Sequence, residues 1–180
     1  MADGGVDPSY WQRERFLLTQ LMVLALPGVP AFYLPALLAT PNDLGRFRRT
    51  GHRRDLNRPQ FTRQSVEHRL QDPDGDVASV LVALRQALAL RARQPALHPD
   101  GELQVLTPDR VDRVVLHRSH AGHDLVAVHN VTSTRLSLNP SGLLDPENTA
   151  PWVDCLSGRT PEPCRRHLLN PYEVLWLVRS

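Results

Sequence analysis

The sequence predicts an α/β part followed by an all-β part in one chain of 180 residues. An apolar helical pattern comes first, and a proline-glycine turn separates it from a short apolar run without alternation, which is typical of a buried parallel strand. A long amphipathic pattern then ends at a proline, which indicates a second helix. Short segments separated by turn residues recur to the end of the chain, which is typical of a small β-sandwich or barrel.

The first helix is expected from about Tyr10 to Leu26. Asp7-Pro8 supplies an N-cap acceptor followed by a proline at the first helical position. Residues Phe16 to Leu26 are apolar on almost every face, so this helix should be buried on several sides. Pro27-Gly28-Val29-Pro30 ends it, and Ala31 to Leu34 follows as the predicted parallel strand.

The predicted strand at Ala31–Leu34 has no neighbour of its kind in the first hundred residues. Because a parallel strand needs hydrogen-bonding partners on a sheet, we expect those partners outside this chain or in another copy of it. The uncharged run from Phe16 to Ala39 is long enough to cross a bilayer, but its prolines and Gly28 interrupt any regular helix. Membrane and signal-peptide interpretations are therefore the weaker alternatives.

Residues 40–59 are predicted to form a loop rich in arginine. Its six arginines are Arg46, Arg48, Arg49, Arg53, Arg54 and Arg58. Guanidinium groups beside Asp55 and Asn57 suit the vicinal hydroxyls of a sugar, or a phosphate, because both take several convergent planar donors. A solvated loop whose charges pair with each other is an equal alternative. Nucleic acid is not expected as a partner, since aromatic groups for base stacking are scarce.

Beyond this loop, Ser65–Leu70 should form one or two helical turns and Asp74–Gln94 a long helix that Pro95 ends. Apolar residues in period-two alternation then predict half-buried antiparallel strands. The six expected strands are Leu103–Leu106, Arg113–Ser119, Leu125–Val131, Thr134–Leu138, Trp152–Leu156 and Tyr172–Val178.

The sequence offers no catalytic pair and no metal motif. Cleavage of a glycosidic bond needs two carboxylates that flank the bond, whereas Asp43 and Asp55 share one loop. His120-x-x-His123 lies at a predicted hairpin tip, where a polar turn is favoured over a metal site. We expect no cofactor. Cys155 and Cys164 lack the spacing of a zinc site, and two thiols are favoured over a disulfide.

Four stretches carry a family resemblance. They are Leu24–Tyr33, Asn42–Leu44 with Arg49–Arg58, Asp154–Gly158 and Asn170–Leu177. The first resembles the junction between a helix and the last strand of α-amylase-type barrels (glycoside hydrolase family 13). The others resemble the loop after that strand, and the closing strands of the C-terminal domain, in sucrose phosphorylases and their glucosylglycerate-phosphorylase-like relatives.

This resemblance implies the last part of a (β/α)8 barrel over residues 1–98, with helix 7, strand 8, the arginine-rich loop and helix 8. A small antiparallel β-sandwich C-terminal domain would occupy residues 99–180. Arg54 matches the arginine that contacts the transferred glucosyl unit in sucrose phosphorylases. Asp55, Asn57 and Arg58 match the residues after it, with Leu56 in place of isoleucine, and are implied to bind substrate.

The function implied is a fragment of a retaining glycoside phosphorylase that is inactive alone. The full enzyme would transfer an α-glucosyl group between a sucrose- or glucosylglycerate-like substrate and inorganic phosphate. Its nucleophile, general acid/base and stabilising carboxylate belong to earlier barrel strands, so no catalytic role is assigned to this chain. Two alternatives stay open: a non-catalytic β module that binds carbohydrate or a partner, and a fragment of an amylase-type hydrolase or isomerase. We expect a cytoplasmic location and self-association through exposed barrel faces.

Overall fold

The computed structural model describes residues 11–72, 75–106, 109–140, 143–144, 150–161 and 167–179. Its helices are α1 (Gln12–Ala25), α2 (Leu34–Leu37), α3 (Leu44–Thr50), α4 (Arg63–Gln71) and α5 (Asp76–Arg93). Its strands are β1 (Glu102–Val105), β2 (Arg113–His120), β3 (His123–Asn130), β4 (Leu136–Leu138), β5 (Trp152–Asp154), β6 (His167–Leu169) and β7 (Val174–Arg179). The chain divides into two compact units, one of Met1–Pro30 with Gln86–Ser180 and the other of Ala31–Arg85. The expected division into a barrel part and a β domain after residue 98 stays a prediction.

The helical half differs from the expectation at one strand. The helix α1 has nearly the expected length, and its expected start at Asp7-Pro8 lies outside the described residues. Residues 31–33 are extended but pair with no strand in the described ranges, and α2 begins at Leu34. The predicted strand at Ala31–Leu34 is therefore wrong for this chain, because a parallel strand forms only when neighbouring strands accept and donate its backbone hydrogen bonds.

The later helices follow local signals in the sequence. The helix α4 is longer than the one or two turns expected, because Thr62 and Ser65 form a capping box at its start. The helix α5 matches its prediction, and a short 3₁₀ turn begins at Pro95. No helix among residues 11–72 and 75–106, or in the described parts beyond, is long and apolar enough to cross a membrane.

The second half forms the expected antiparallel β-sandwich. Five strands make one sheet in the order β1-β2-β3-β7-β5, and β4 pairs with β6 in a second sheet. All six predicted strands are present, and β6 (His167–Leu169) was missed because three residues carry too little periodicity to identify. The apolar core between the sheets consists of Val115, Val126, Val128, Leu136, Leu138, Trp152, Leu169, Leu175 and Leu177.

The strand β3 is buried on both faces, not half-buried as its alternation predicts. Val126 and Val128 face the core between the sheets, whereas Leu125 and Ala127 lie on the opposite face, and all four are fully buried. Both α1 and the 3₁₀ turn at residues 95–97 pack on this second face of the sheet. The sequence carried the signal for this layer, because a continuous apolar run such as Leu125–Val128 is typical of a strand buried on both faces, and the expectation of alternation overlooked it.

Two buried arginines hold the end of α1. Arg91 on α5 donates to the carbonyl oxygens of Leu24, Leu26 (3.2 Å) and Gly28 (2.7 Å). Arg118 on β2 donates to Ala25 O at 2.9 Å. Further donors of Arg118 reach carbonyl oxygens of the segment that leads into β1, at His98 (2.6 Å), Gly101 (3.4 Å) and Glu102 (3.0 Å).

The last carbonyl groups of a helix lack partners within the helix and carry partial negative charge. The guanidinium groups of Arg91 and Arg118 supply the missing hydrogen bonds, although both residues are buried and neither forms an ion pair with a carboxylate of the described residues. Burial lowers the pKa of both guanidinium groups, and the charge of Arg91 lowers that of Arg118 further. Both stay protonated because arginine begins from so high a pKa.

His129 on β3 is a buried neutral base. Its Nδ1 lies 3.2 Å from Val114 O, and its Nε2 has no partner among the described residues. Burial lowers the pKa of His129 to about 4, although the hydrogen bond to Val114 opposes the shift. Protonation would place a charge in the apolar layer between the sheet and α1, so the neutral form is favoured.

Replacing Arg91 with alanine should destabilise the chain by about 2–4 kcal/mol, because the buried carbonyl oxygen of Leu24 and the part-buried ones of Leu26 and Gly28 lose their donor. The measurement is the free energy of unfolding in urea. Arg93→Ala is the matched control, because Arg93 lies on the same helix with an exposed side chain, and it should change stability by less than about 0.5 kcal/mol. Equal effects of the two substitutions would contradict this role of Arg91.

Acidification should weaken the fold through His129. Between pH 6.5 and 4 the unfolded chain binds a proton at His129 that the folded chain does not. The contribution of neutral His129 to the free energy of unfolding is therefore present above pH 6.5 and is lost as the pH falls towards 4. The expected loss between pH 7 and pH 5 is about 2 kcal/mol. Urea unfolding of the wild-type chain and of His129→Gln should be compared at pH 7 and at pH 5. The variant should not show this decrease in the free energy of unfolding. An equally steep dependence in His129→Gln would exclude His129 as its source.

Candidate functional site

The arginine-rich segment (residues 40–59) is more ordered than the expected loop. It contains α3 and a 3₁₀ turn at Arg53–Asp55. The Asp43 side chain caps α3 by accepting from Arg46 N at 2.8 Å, and Gly51 ends the helix in the left-handed conformation with φ of 70°. Prediction of a loop here was wrong, although an N-cap aspartate and a C-terminal glycine were both visible in the sequence.

Asp55 holds this segment in shape. Thr50 Oγ1 donates to Asp55 Oδ2 at 2.6 Å, and Arg46 Nε lies 3.1 Å from Asp55 Oδ1. The pKa of Asp55 is lowered, mainly by the hydrogen bond from Thr50 and then by the charge of Arg46. Asp43 N also donates to Leu56 O at 2.7 Å, so both ends of the segment are tied together.

A pocket of about 540 Å³ opens on this segment. Four guanidinium groups, one histidine and one carboxylate are among its lining groups. The lining residues are Arg46, His52, Arg53, Arg54, Asp55, Arg58 and Gln60. Within the described ranges, no carboxylate pairs with the guanidinium groups of Arg53, Arg54 or Arg58, and all three side chains are exposed. The pocket therefore keeps planar donors available for an anion or for sugar hydroxyls.

The structure brings together three of the four residues expected to bind substrate. Arg54, Asp55 and Arg58 line the pocket, whereas Asn57 is exposed and does not line it. The carboxylate of Asp55 is already occupied by two partners, which leaves the arginines as the open groups. That Asp55 and Arg58 bind substrate stays a prediction, as does the same role for Arg54 and Asn57.

Sequence reasoning missed the partners that shape the pocket. Arg46 and Thr50 lie on α3 and bond to Asp55, and His52 and Gln60 complete the lining. The recognisable signal was the helical spacing of Arg46 and Thr50, four residues apart after an N-cap aspartate.

The other candidate groups of the sequence are two histidines at a hairpin tip and two cysteines. His120 stacks on His98 with ring centroids 4.2 Å apart. No cluster of three metal-ligating side chains occurs in the described part of the chain. Cys155 is a free thiol with a pKa raised mainly by burial, and Cys164 lies outside the described residues.

Similar sequences occur among sugar phosphorylases. A glucosylglycerate phosphorylase of Allomeiothermus silvanus is 37% identical over 166 residues, which cover 91% of this chain and 27% of the relative. The glucosylglycerate phosphorylase of Escherichia coli is 26% identical over 91% of this chain and 28% of its own length. A sucrose phosphorylase of Streptococcus mutans is 26% identical over 61% of this chain. The chain thus spans less than a third of the relatives it matches, and no family model matches it.

Solved structures share the fold of this chain. An Anoxybacillus α-amylase superposes with a TM-score of 0.65 at 18% identity, covering 93% of this chain and 33% of its own. The trehalose-6-phosphate hydrolase of Bacillus licheniformis gives a TM-score of 0.68 at 15% identity, over 96% of this chain and 40% of its own.

These likenesses define the class of protein first. Over nearly its whole length, the chain has the fold of the matching part of α-amylase-type enzymes of glycoside hydrolase family 13. Within that class, its sequence is similar to the glucosylglycerate and sucrose phosphorylases. The family resemblance drawn from the sequence is therefore confirmed.

Proposed function

We propose that this chain is the C-terminal part of a retaining glycoside phosphorylase. The full enzyme would transfer an α-glucosyl group between a sucrose- or glucosylglycerate-like substrate and inorganic phosphate. One observation supports this most directly: the arginine-rich segment presents Arg53, Arg54 and Arg58 in a pocket whose lining carboxylate, Asp55, is bound to Arg46 and Thr50 instead. Both inorganic phosphate and a polyhydroxylated sugar bind to such planar donors. The proposal includes a cytoplasmic location, which fits a free thiol at Cys155.

In this proposal Arg54 contacts the glucosyl unit, and Arg58 adds positive charge for phosphate. Asp55 holds the segment through Thr50 and Arg46, which fixes the backbone that carries Arg54. In a retaining reaction a carboxylate displaces the leaving group from the anomeric carbon, and phosphate oxygen then displaces the carboxylate. No residue of this chain is assigned those carboxylate roles, so the chain would supply one wall of the site.

The backbone of residues 31–33 is in a form that could pair with further strands. The N–H groups of Ala31, Phe32 and Tyr33 donate to no backbone carbonyl in the described part of the chain. Tyr33 and Leu34 expose 52% and 56% of their surface. An extended apolar segment with free N–H groups is the form that adds to a sheet. We propose that barrel strands pair with it in the full enzyme.

Without those strands the same segment should drive self-association of the chain. Light scattering after size exclusion should give a mass above the 20.3 kDa of one chain. The double variant Tyr33→Glu with Leu34→Glu should shift the population towards monomer, because charge at the end of the extended segment and at the start of α2 opposes association through this exposed apolar surface. Val111→Glu is the control, since Val111 is 95% exposed outside this segment. A monomeric wild-type chain would contradict the proposal.

A chimera tests the phosphorylase proposal. The matching 166 residues of the Allomeiothermus silvanus phosphorylase would be replaced by this chain, and glucose 1-phosphate release from glucosylglycerate would be measured. The chimera should be active, and the 180-residue chain alone should release none. Arg54→Ala in the chimera should lower kcat/KM roughly 10- to 100-fold, because charged hydrogen bonds to the sugar are lost.

Arg48→Ala is the matched control in the chimera, because Arg48 lies on α3 but does not line the pocket. It should retain activity close to the unsubstituted chimera. Release of free glucose in place of glucose 1-phosphate would support the hydrolase alternative, which the fold shared with hydrolases keeps open. Turnover by the isolated chain, or equal losses in both variants, would contradict the proposal.

A further inference from the structure

A second cavity lies in the compact unit that contains the β-sandwich, whereas the arginine-rich segment belongs to the other unit. This cavity, the α1 groove, has a volume of about 680 Å³. Its walls are one face of α1, the turn between β3 and β4, and the turn before β7. That volume falls in the range of small-molecule sites in proteins.

Two aromatic rings form one end of the α1 groove. Trp11 and Tyr172 have ring centroids 6.3 Å apart with planes inclined by 59°, so the two faces form a corner. Trp11 is partly exposed, whereas Trp152 and Trp176 expose only 1% and 0% of their surface. Trp11 therefore offers an apolar face that an amphipathic ligand can cover, whereas the other two tryptophans lie in the core.

Tyr172 has an unfavourable backbone conformation. Its φ of 56° lies in the left-handed region, which a bulky side chain rarely adopts and glycine adopts freely. The turn is held by Tyr172 N, which donates to Thr132 O at 3.1 Å, and by Asn170 N, which donates to Glu173 Oε2 at 2.6 Å. Strained residues of this kind occur at functional sites, where the position of the side chain matters more than the cost.

Polar groups of both signs line the same groove. Glu14 Oε2 is buried without a partner among the described residues, while Glu14 Oε1 lies 3.3 Å from Arg13 Nη2. Arg135 is exposed and pairs with no carboxylate in the described ranges. Arg135 therefore gives the groove a guanidinium donor, while Glu14 Oε2 is enclosed and lacks a donor, so a turn of the Glu14 side chain towards a ligand hydroxyl group would relieve an unfavourable burial. Together these groups suit a neutral ligand with several hydroxyl groups.

We propose that the α1 groove is a second saccharide-binding site, separate from the arginine-rich segment. The Arg15 guanidinium carbon lies over the Tyr172 ring, 5.8 Å from its centroid, so the apolar face of one sugar ring would lie against Trp11 and the opposite face of Tyr172. A sugar hydroxyl would donate to Glu14 Oε2, and another would accept from Arg135. The choice of α-glucosides as ligands rests on the proposed function, whereas the groove itself rests on its own geometry.

The test is saturation-transfer NMR of the 180-residue chain with sucrose and with maltose. This measurement tolerates self-association of the protein. Saturable binding is expected for at least one of the two sugars. Tyr172→Gly should weaken it about tenfold or more, because the stacking face is lost. Its melting temperature should be unchanged or higher, since glycine relieves the left-handed backbone.

Glu14→Gln is the second variant, and it should also weaken binding about tenfold, because the charged acceptor is lost with little change of shape. Two controls remove groups elsewhere. Tyr33→Ala removes an exposed aromatic ring outside the groove, and Arg54→Ala removes an arginine of the other pocket. Neither should change the affinity measured here.

Loss of binding in Tyr172→Gly and Glu14→Gln, with binding kept in both controls, would support the second site. Absence of saturable binding to either sugar would overturn it. Binding that Glu14→Gln leaves unchanged would also overturn it, even if Tyr172→Gly proved unstable. Binding that only Arg54→Ala abolishes would place the sugar in the arginine-rich segment, which overturns the second site and leaves the phosphorylase proposal standing.

Discussion

The carbonyl groups at the end of α1 accept hydrogen bonds from two buried guanidinium groups, and the packing of the β-sandwich unit depends on these contacts. Arg118 lies on β2 and bonds both to the end of α1 and to the segment before β1, while Arg91 lies on α5 and bonds to the end of α1. A buried arginine in other proteins is commonly paired with a carboxylate. Here both guanidinium groups instead face the partial negative charges of backbone carbonyl groups. The space is so restricted that a Cβ at Gly101 would lie 2.8 Å from Arg118 Nη2, so a larger residue there would have to displace the guanidinium group from its carbonyl partners.

The arginine-rich segment uses its charges differently. Asp55 is bound by Thr50 and Arg46, and no other carboxylate of the described residues pairs with the neighbouring Arg54 and Arg58. An internal ion pair thus provides order, and the remaining guanidinium groups provide a free positive surface. Of the two interpretations open from the sequence, the self-paired loop is therefore correct for Arg46 and Asp55, whereas ligand binding by the other arginines stays a prediction.

The proposed roles assign the two cavities different chemistry. The pocket of the arginine-rich segment has an excess of positive charge and suits phosphate with a sugar. The α1 groove has aromatic faces with balanced charges and suits a neutral sugar. A phosphorylase needs both an anion and a saccharide at its reaction centre, whereas a second saccharide site could retain the enzyme near its substrate without taking part in the reaction.

The sequence by itself determined α1, α4, α5, six of the seven described strands and the family resemblance, because these depend on local periodicity and on short motifs. The capping signals at Asp43 and Gly51 were present in it, but α3 was predicted as a loop. The tertiary structure decided which groups meet. It placed Arg118 of β2 on the end of α1, 93 residues away in sequence, and it brought Trp11 to Tyr172. Across the part of the chain that the structure describes, it also gave residues 31–33 no strand partner. Pairings of this kind depend on which layers pack together, and no local pattern of residues encodes that choice.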